Sequence, residues 1–346
     1  MGEMPNLKSL ALCRAAGYQA EVAPGVHWVR LPLPFKPEDH INVWLVAGEA
    51  GYLLVDTGLD DAITRALWNE VLAALPPPRR IVRVVVTHHH PDHCALAAWF
   101  AATQGAAVSM ASREWTIARE LLDDAAAATG GEAFARHGMG SGEDFVALRR
   151  AFYRSHVPAL PERVDALADG DVIAWSGRAW RVYLVGGHTP AHAVLHCPEK
   201  NLLITGDHVL PDIVTNIGAL AAEAGATPVS DYLASLERCD RLPEDVLVLP
   251  AHGLPFIGLR TRCAELRAVH RERIDGAWRH CAAGAPTVGE LLPRLYGKEL
   301  SGLAALLGFN QTKAYLDYLV AQGRVDAVPD AAGQMRFHQT TSPDQR

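Results

Sequence analysis

Seven consecutive residues, Thr87-His88-His89-His90-Pro91-Asp92-His93, bring four histidines and an aspartate together. Imidazole combined with carboxylate suits zinc, iron or manganese. Residues two apart on an extended chain share a side, so His88 and His90 can reach one metal. Asp92 and His93, beyond the turn at Pro91, can reach a second.

Three later segments repeat the pattern. Gly187-His188-Thr189-Pro190-Ala191-His192 follows the apolar run Trp180-Arg181-Val182-Tyr183-Leu184-Val185, Thr205-Gly206-Asp207-His208 follows Asn201-Leu202-Leu203-Ile204, and Pro250-Ala251-His252-Gly253 follows Val246-Leu247-Val248-Leu249. The first cluster itself follows Ile81-Val82-Arg83-Val84-Val85-Val86. Such runs read as buried strands, and α/β proteins bind ligands at the carboxyl ends of their strands. These four places hold eight of the sixteen histidines. Packing alone does not concentrate histidine at one kind of position, so the pattern predicts a metal site.

The order His-x-His-x-Asp-His, His-Thr-Pro-x-His, Gly-Asp, Pro-x-His-Gly resembles the metallo-β-lactamase-fold hydrolases over roughly residues 25–260. The resemblance implies an α/β fold, an αββα sandwich of two sheets with helices outside and the metals at one edge. It implies two divalent metal ions, zinc first, with iron or manganese as alternatives. His88, His90 and His192 would hold the first ion, Asp92, His93 and His252 the second, and Asp207 would bridge them. By position in the Thr-Pro-x-His element His192 is expected as the ligand rather than His188, with Ala191 standing where the family has glycine. Leu54-Val55-Asp56-Thr57-Gly58 also matches the family and implies that Asp56 orients a ligand histidine. His188 and His196 are expected as supporting donors or packed histidines, and His89 as a packed or solvated neighbour. His208 is expected to face the pocket as a candidate proton donor.

Two ions about 3.5–4 Å apart can share a water and make it acidic enough to ionise near neutral pH. The expected chemistry is therefore metal-assisted hydrolysis by a shared hydroxide, with Asp92 or Asp207 receiving the proton. No Gly-x-Ser-x-Gly elbow offers a serine nucleophile.

Length favours two domains, or one large domain with an appendage. The reading is a catalytic domain over 1–260, interrupted at about 112–160 by a helical cap, and a C-terminal domain over 261–346. In the cap, Met139, Phe145, Phe152 and Tyr153 are either pocket lining or glue to the core, and Leu210 to Gly218 would form a pocket wall. Before the metal cluster, strands over His40–Val46 and Gly51–Val55 precede a helix capped by Asp60, with Ile63, Leu67, Val71 and Leu75 on one face. Cys94 to Gln104 reads as the next helix. Beyond residue 260 come a helix over Leu259–Ala283, a capping box of Thr287 and Glu290, a helix over Asn310–Gln322 and two short strands. That order resembles the winged-helix domain ending a subgroup of the family that includes lactamase-beta-like ribonucleases.

Composition narrows the partners. The chain carries a formal charge of −7, and residues 262–346 hold eleven Lys and Arg against nine Asp and Glu. Phosphate contacts dominate nucleic-acid affinity, so nucleic acid is the less favoured partner and a small molecule the favoured one. No apolar run approaches a membrane span, the N-terminus lacks signal-peptide character, and six scattered cysteines read as reduced thiols in a cytoplasmic protein, with Cys94 as a small buried filler. A homodimer stays open. Asp207 sets the chain apart from the β-lactamases of this fold. The basic glutathione pattern of glyoxalase II, the tyrosine of the homoserine-lactone lactonases and a flavin domain are not found. The expected activity is hydrolysis of a small ester or thioester with an apolar acyl part. The alternative is a single-stranded endoribonuclease, and an interaction protein with a vestigial site is the third reading.

Overall fold

The computed structural model describes residues 19–36, 38–123, 131–140, 143–218 and 226–340. Cys13, the reading of the N-terminus and part of the glycine-rich stretch at 138–142 lie partly or wholly outside the described residues.

Seven strands form the first sheet in chain order: β1 (Gln19–Ala23), β2 (Val26–Pro32), β3 (His40–Gly48), β4 (Gly51–Val55), β5 (Ile81–Val85), β6 (Ala107–Ala111) and β7 (Asp165–Leu167). Pairing is antiparallel through β4 and parallel from β4 to β7. The second sheet holds β8 (Val172–Trp175), β9 (Arg178–Val185), β10 (His192–Cys197), β11 (Leu202–Gly206) and β12 (Leu247–Pro250), in the order β12-β11-β10-β9-β8. The strand period of two decides the layering. Trp28 and Trp44 join Trp180, Val182, Leu195 and Ile204 in a core between the sheets. Val29, Val43 and Leu45 point to the opposite face. There they meet α1 (Ala62–Ala74), α3 (Ala97–Gln104) and α4 (Ser112–Leu122), with the one-turn α2 (Pro91–Cys94) at the strand ends. The far face of the second sheet is covered by α7 (Pro228–Cys239), α8 (Leu259–Ala282), α9 (Val288–Tyr296) and α10 (Gly302–Ala321). This is the expected αββα sandwich.

Between α4 and β7 lie α5 (Gly131–Arg136) and α6 (Glu143–His156). Phe134 packs on Phe309 of α10 with ring centroids 4.8 Å apart, and Gly289 N–H donates to the His137 carbonyl at 3.0 Å. A Cβ on Gly289 would lie 2.3 Å from the Gly138 carbonyl oxygen, so only glycine permits this approach. The inserted segment is thus fastened to the C-terminal helices. That group ends in the hairpin β13 (Val325–Pro329) and β14 (Met335–Gln339).

Three local expectations shift. Asp61, not Asp60, caps α1 by accepting from Thr64 N–H at 2.7 Å. Its buried face is Thr64, Trp68, Val71 and Leu72, while Ile63 is exposed, because the Trp68 indole is buried with its N–H on the Thr57 carbonyl. The helix read from Cys94 is broken into α2 and α3. Finally, α10 starts eight residues before Asn310, and Gly308 lies inside it where Leu292 and Leu300 press against its bare Cα. The capping box of Thr287 and Glu290 forms as expected.

His270 is fully buried on α8 between Tyr232 and Tyr315, its Nδ1 2.8 Å from the Tyr315 hydroxyl. Burial, reinforced by Arg273, lowers its pKa to about 3. Below the ordinary value of 6.5 the unfolded chain takes up a proton that the folded chain refuses, so stability is lost as pH falls from 6.5 towards 3 and is unaffected above it. By pH 4.5 this one residue is expected to remove about 2–3 kcal/mol. Urea unfolding at pH 7 and pH 4.5 should show that the pH-dependent loss shrinks by this amount in His270→Phe.

Candidate metal centre

The carboxyl ends of β4, β5, β9, β11 and β12 meet at one edge of the sandwich. Backbone hydrogen bonds stitch the two sheets there, Ala193 N–H to Thr87 carbonyl at 2.8 Å and Asn42 N–H to Ala251 carbonyl at 2.6 Å, while Ala251 N–H to Gly206 carbonyl at 3.0 Å continues the pairing of β12 with β11. Asn42 also donates its side-chain amide to the Pro250 and Gly253 carbonyls, and its own oxygen is held by the Trp28 indole N–H.

Two groups of donors converge at this edge. His88, His90, His188 and Asp207 place one ligand atom each within 4.8 Å of one another, and Asp92, His93 and His252 do the same. Asp207 faces both. Its Oδ2 lies 3.5 Å from the Nε2 atoms of His188 and His93, and its Oδ1 lies 3.2 Å from His252 Nε2. His93 Nε2 is buried with no hydrogen-bond partner, although Asp92 and Asp207 are close. An orphaned ring nitrogen among buried carboxylates is costly unless a cation completes it, so the donor set fits divalent metal ions.

The electrostatics of the groups differ. Burial, with neighbouring histidines, holds His88 and His90 well below the ordinary histidine pKa, and burial also lowers His188. All three are neutral imidazoles ready to ligate. Burial opposes charge on His93 and His252, but the surrounding carboxylates outweigh it, raising His93 well above its usual value and His252 to about 9. Asp207 is held well below the carboxylate range by His252 and His93, against the cost of its burial.

Neighbouring side chains set the ligand orientations. Asp56, at positive φ after β4, accepts from Thr87 N–H at 2.8 Å and sits 2.8 Å from His93 Nδ1. Its expected part in orienting a ligand histidine is therefore visible. His252 Nδ1 is 2.7 Å from the His40 carbonyl, and His40 Nε2 accepts from Gly253 N–H at 2.9 Å.

The structure corrects the expected set at His192. His192 is the first residue of β10, and its register opposite Val185 turns the ring beneath Gly206, where a Cβ would come within 2.6 Å of it. Its Nε2 accepts the Asp207 backbone N–H at 3.2 Å, so that nitrogen is occupied. His188, on the preceding turn, reaches the donor group instead: its Nε2 lies 3.3 Å from His88 Nε2 and 3.1 Å from His90 Nδ1. In the fold His88, His188, Asp207 and His252 follow strand ends, whereas His192 begins a strand.

His208 is a second correction. Its Nε2 pairs with Ser235 Oγ at 2.9 Å beneath α7, away from the pocket. His196 is buried on β10 outside both donor groups. Cys94 is packed, its thiol pushed up to about 12 by burial. Sequence reasoning missed Glu114 altogether. This fully buried carboxylate on α4 accepts from His89 N–H at 3.1 Å and from Ala191 N–H at 2.8 Å, and lies 2.5 Å from His89 Nδ1. It ties the His88–His90 loop to the His188 loop, and so gives His89 a structural task. An acidic residue in the first turn of a helix is ordinarily exposed, so nothing in the sequence marked it.

The centre opens into a cavity of about 510 Å³. Leu33 and Phe35 after β2, Phe152 and Tyr153 on α6, and Leu210 and Ile213 after Asp207 line it, together with the leading turns of α10. Of the four cap residues, Phe152 and Tyr153 line the cavity, whereas Phe145 and Met139 pack into the core under the C-terminal helices.

The family model described as the metallo-beta-lactamase superfamily matches residues 37–252. A solved beta-lactamase domain protein from Burkholderia ambifaria is 35% identical, covering 94% of this chain and 95% of that one with a TM-score of 0.86. A metallo-beta-lactamase family protein from Thermus thermophilus is 27% identical, over 92% and 100% of the chains, with a TM-score of 0.79. A hydroxyacylglutathione hydrolase from Synechococcus sp. (strain JA-3-3Ab) is 30% identical over 101 residues, 29% of this chain and 37% of that protein, so the match spans little more than a third of that relative.

Replacing His188 and His192 separately tests the corrected set. His188→Ala should lower metal affinity at the His88/His90 group by at least about tenfold, and His192→Ala should keep a ligand there while lowering Tm. Chelator-competition titration of each variant, read with metal content, checks this. Loss of metal from His192→Ala alone would restore the original expectation.

Proposed function

The chain belongs to the metallo-beta-lactamase superfamily and is a hydrolase of that fold, and from that premise we propose that it hydrolyses a small ester or thioester with an apolar acyl part. The observation that carries this reading is the direct opening of the donor cluster onto an apolar cavity of small-molecule size, about 510 Å³. Zinc is the proposed metal, in two ions. His88, His90 and His188 would hold one, and Asp92, His93 and His252 the other, with Asp207 between them. Bound there, the ions would supply an acidified water and polarise the substrate carbonyl.

The remaining work falls to the chain's own groups. Asp207 and Asp92, both facing His93 and His252 at the opening of the cavity, are the carboxylates placed to take the proton released when water adds to the carbonyl. Asp56 and the His40 carbonyl keep His93 and His252 from turning away. The cavity walls exclude bulk water from the acyl side. We read the C-terminal helices and hairpin as a winged-helix-like unit acting in substrate binding. In such a unit α10 would be the helix laid into a nucleic-acid groove, but Phe309, Thr312, Leu316 and Leu319 are buried and its first turns face the cavity. That burial, and the near-neutral charge of residues 262–346, favour a small substrate over RNA. Among the described residues no helix is long and apolar enough to cross a membrane, and the cytoplasm is the proposed location.

Initial rates on a medium-chain acyl thioester and on single-stranded RNA, with metal-loaded protein beside Asp207→Ala, test the reading. Thioester cleavage that falls on the order of a hundredfold or more in the variant is expected. RNA cleavage without thioester cleavage would overturn it.

A further inference from the structure

The leading turns of α10 are unusual for a helix so deeply packed. Ala305, Phe309, Thr312 and Leu316 are buried, yet Leu307 is 40% exposed and Leu303 half-buried. Leu303, Leu306 and Leu307 fall at helical spacings of three and four, which put them on one side of the helix, and all three line the cavity that leads from the metal centre. Across it stand Phe35 and Phe152, in contact with ring centroids 5.5 Å apart. An apolar corridor thus runs from the donor cluster to the surface between α6 and α10. Its outer end keeps a leucine in water.

We propose that α10 is the acyl-recognition wall of the enzyme: Leu303, Leu306 and Leu307 bind an unbranched medium-chain acyl group whose carbonyl lies at the metal centre, and so set chain-length specificity. This rests on the hydrolase reading above and extends it to residues far along the chain from every metal donor. The three leucines and the two phenylalanines favour an apolar chain, because they carry no polar side-chain atom, while Lys36, Glu38, Arg149 and Asn310 add polar groups to the same lining. Each methylene buried in the corridor contributes about 0.8 kcal/mol, so kcat/KM should rise about three- to fourfold per methylene until the corridor is filled, then level off. Leu307 is the residue of choice for a test, because its exposure makes substitution harmless to folding.

The experiment measures kcat/KM for acetyl, hexanoyl, decanoyl and palmitoyl thioesters with wild type, Leu307→Glu and Ala304→Trp, and calorimetric binding of decanoate to each. Wild type should prefer decanoyl to acetyl by at least about a hundredfold. Both variants should lose at least about tenfold on decanoyl, with a matching loss of decanoate affinity, while acetyl rates stay within about twofold. Equal rates across the series in wild type, or equal losses on every chain length in both variants, would overturn the α10 assignment and leave the hydrolase reading standing. No hydrolysis of any thioester, with decanoate binding that is weakened by Leu307→Glu, would support the acyl wall and overturn the thioester reading instead.

Discussion

The centre exists only because two sheets present their strand ends at the same height. No single strand carries a complete donor set. His88 and His90 leave β5, Asp207 leaves β11, His188 leaves β9 and His252 leaves β12. The bonds from Ala193 to Thr87 and from Asn42 to Ala251 fix the offset between the sheets. A slip of one residue in any of these strands would turn its inward face outward and move its loop away from the others. The tryptophan-rich core between the sheets therefore serves the site as much as stability: Trp28 packs on Trp44 and also holds Asn42, which holds the His252 loop.

Around that offset, buried carboxylates carry out two separate tasks. Asp207 and Asp92 face the donors and gather positive charge. Asp56 and Glu114 face backbone N–H groups and ring Nδ1 atoms, and set where the loops lie. Burying so many ionisable groups is unfavourable unless each finds a partner. The pairings leave His93 Nε2 and Asp207 Oδ1 without a hydrogen bond, and both point to the place where a cation is wanted. Preorganisation of this kind means that the chain's own hydrogen bonds set where the donor atoms stand.

The inserted α5 and α6 and the C-terminal helices belong to the same functional surface. Phe134, His137 and Gly138 lock the insert to α9 and α10, and the two together enclose the cavity beyond the metal centre. The leading turns of α10 line that cavity with Leu303, Leu306 and Leu307, together with Phe35 and Phe152 and the charged Lys36, Glu38 and Arg149.

Much of this was legible in the sequence, because local physics governs it. Apolar runs followed at once by His or Asp announce strands that end in ligands, and the spacing within His88–His93 already separates two donor groups. The capping box of α9 rests on such short-range signals, whereas the αββα fold and the assignment of His88, His90, Asp92, His93, Asp207 and His252 to two ions came from the resemblance that the four motifs carry together. What the sequence could not settle depends on register and on distance along the chain. His192 and His188 are four residues apart in one motif, and only the pairing of β10 with β9 shows which ring faces the centre. Glu114 and Leu307 carry no local mark, since a first-turn carboxylate and a helical leucine are ordinary in composition. Their positions arise when the fold carries α4 beneath the donor loops and α10 beside the cavity, and that placement is decided by packing between segments far apart in sequence.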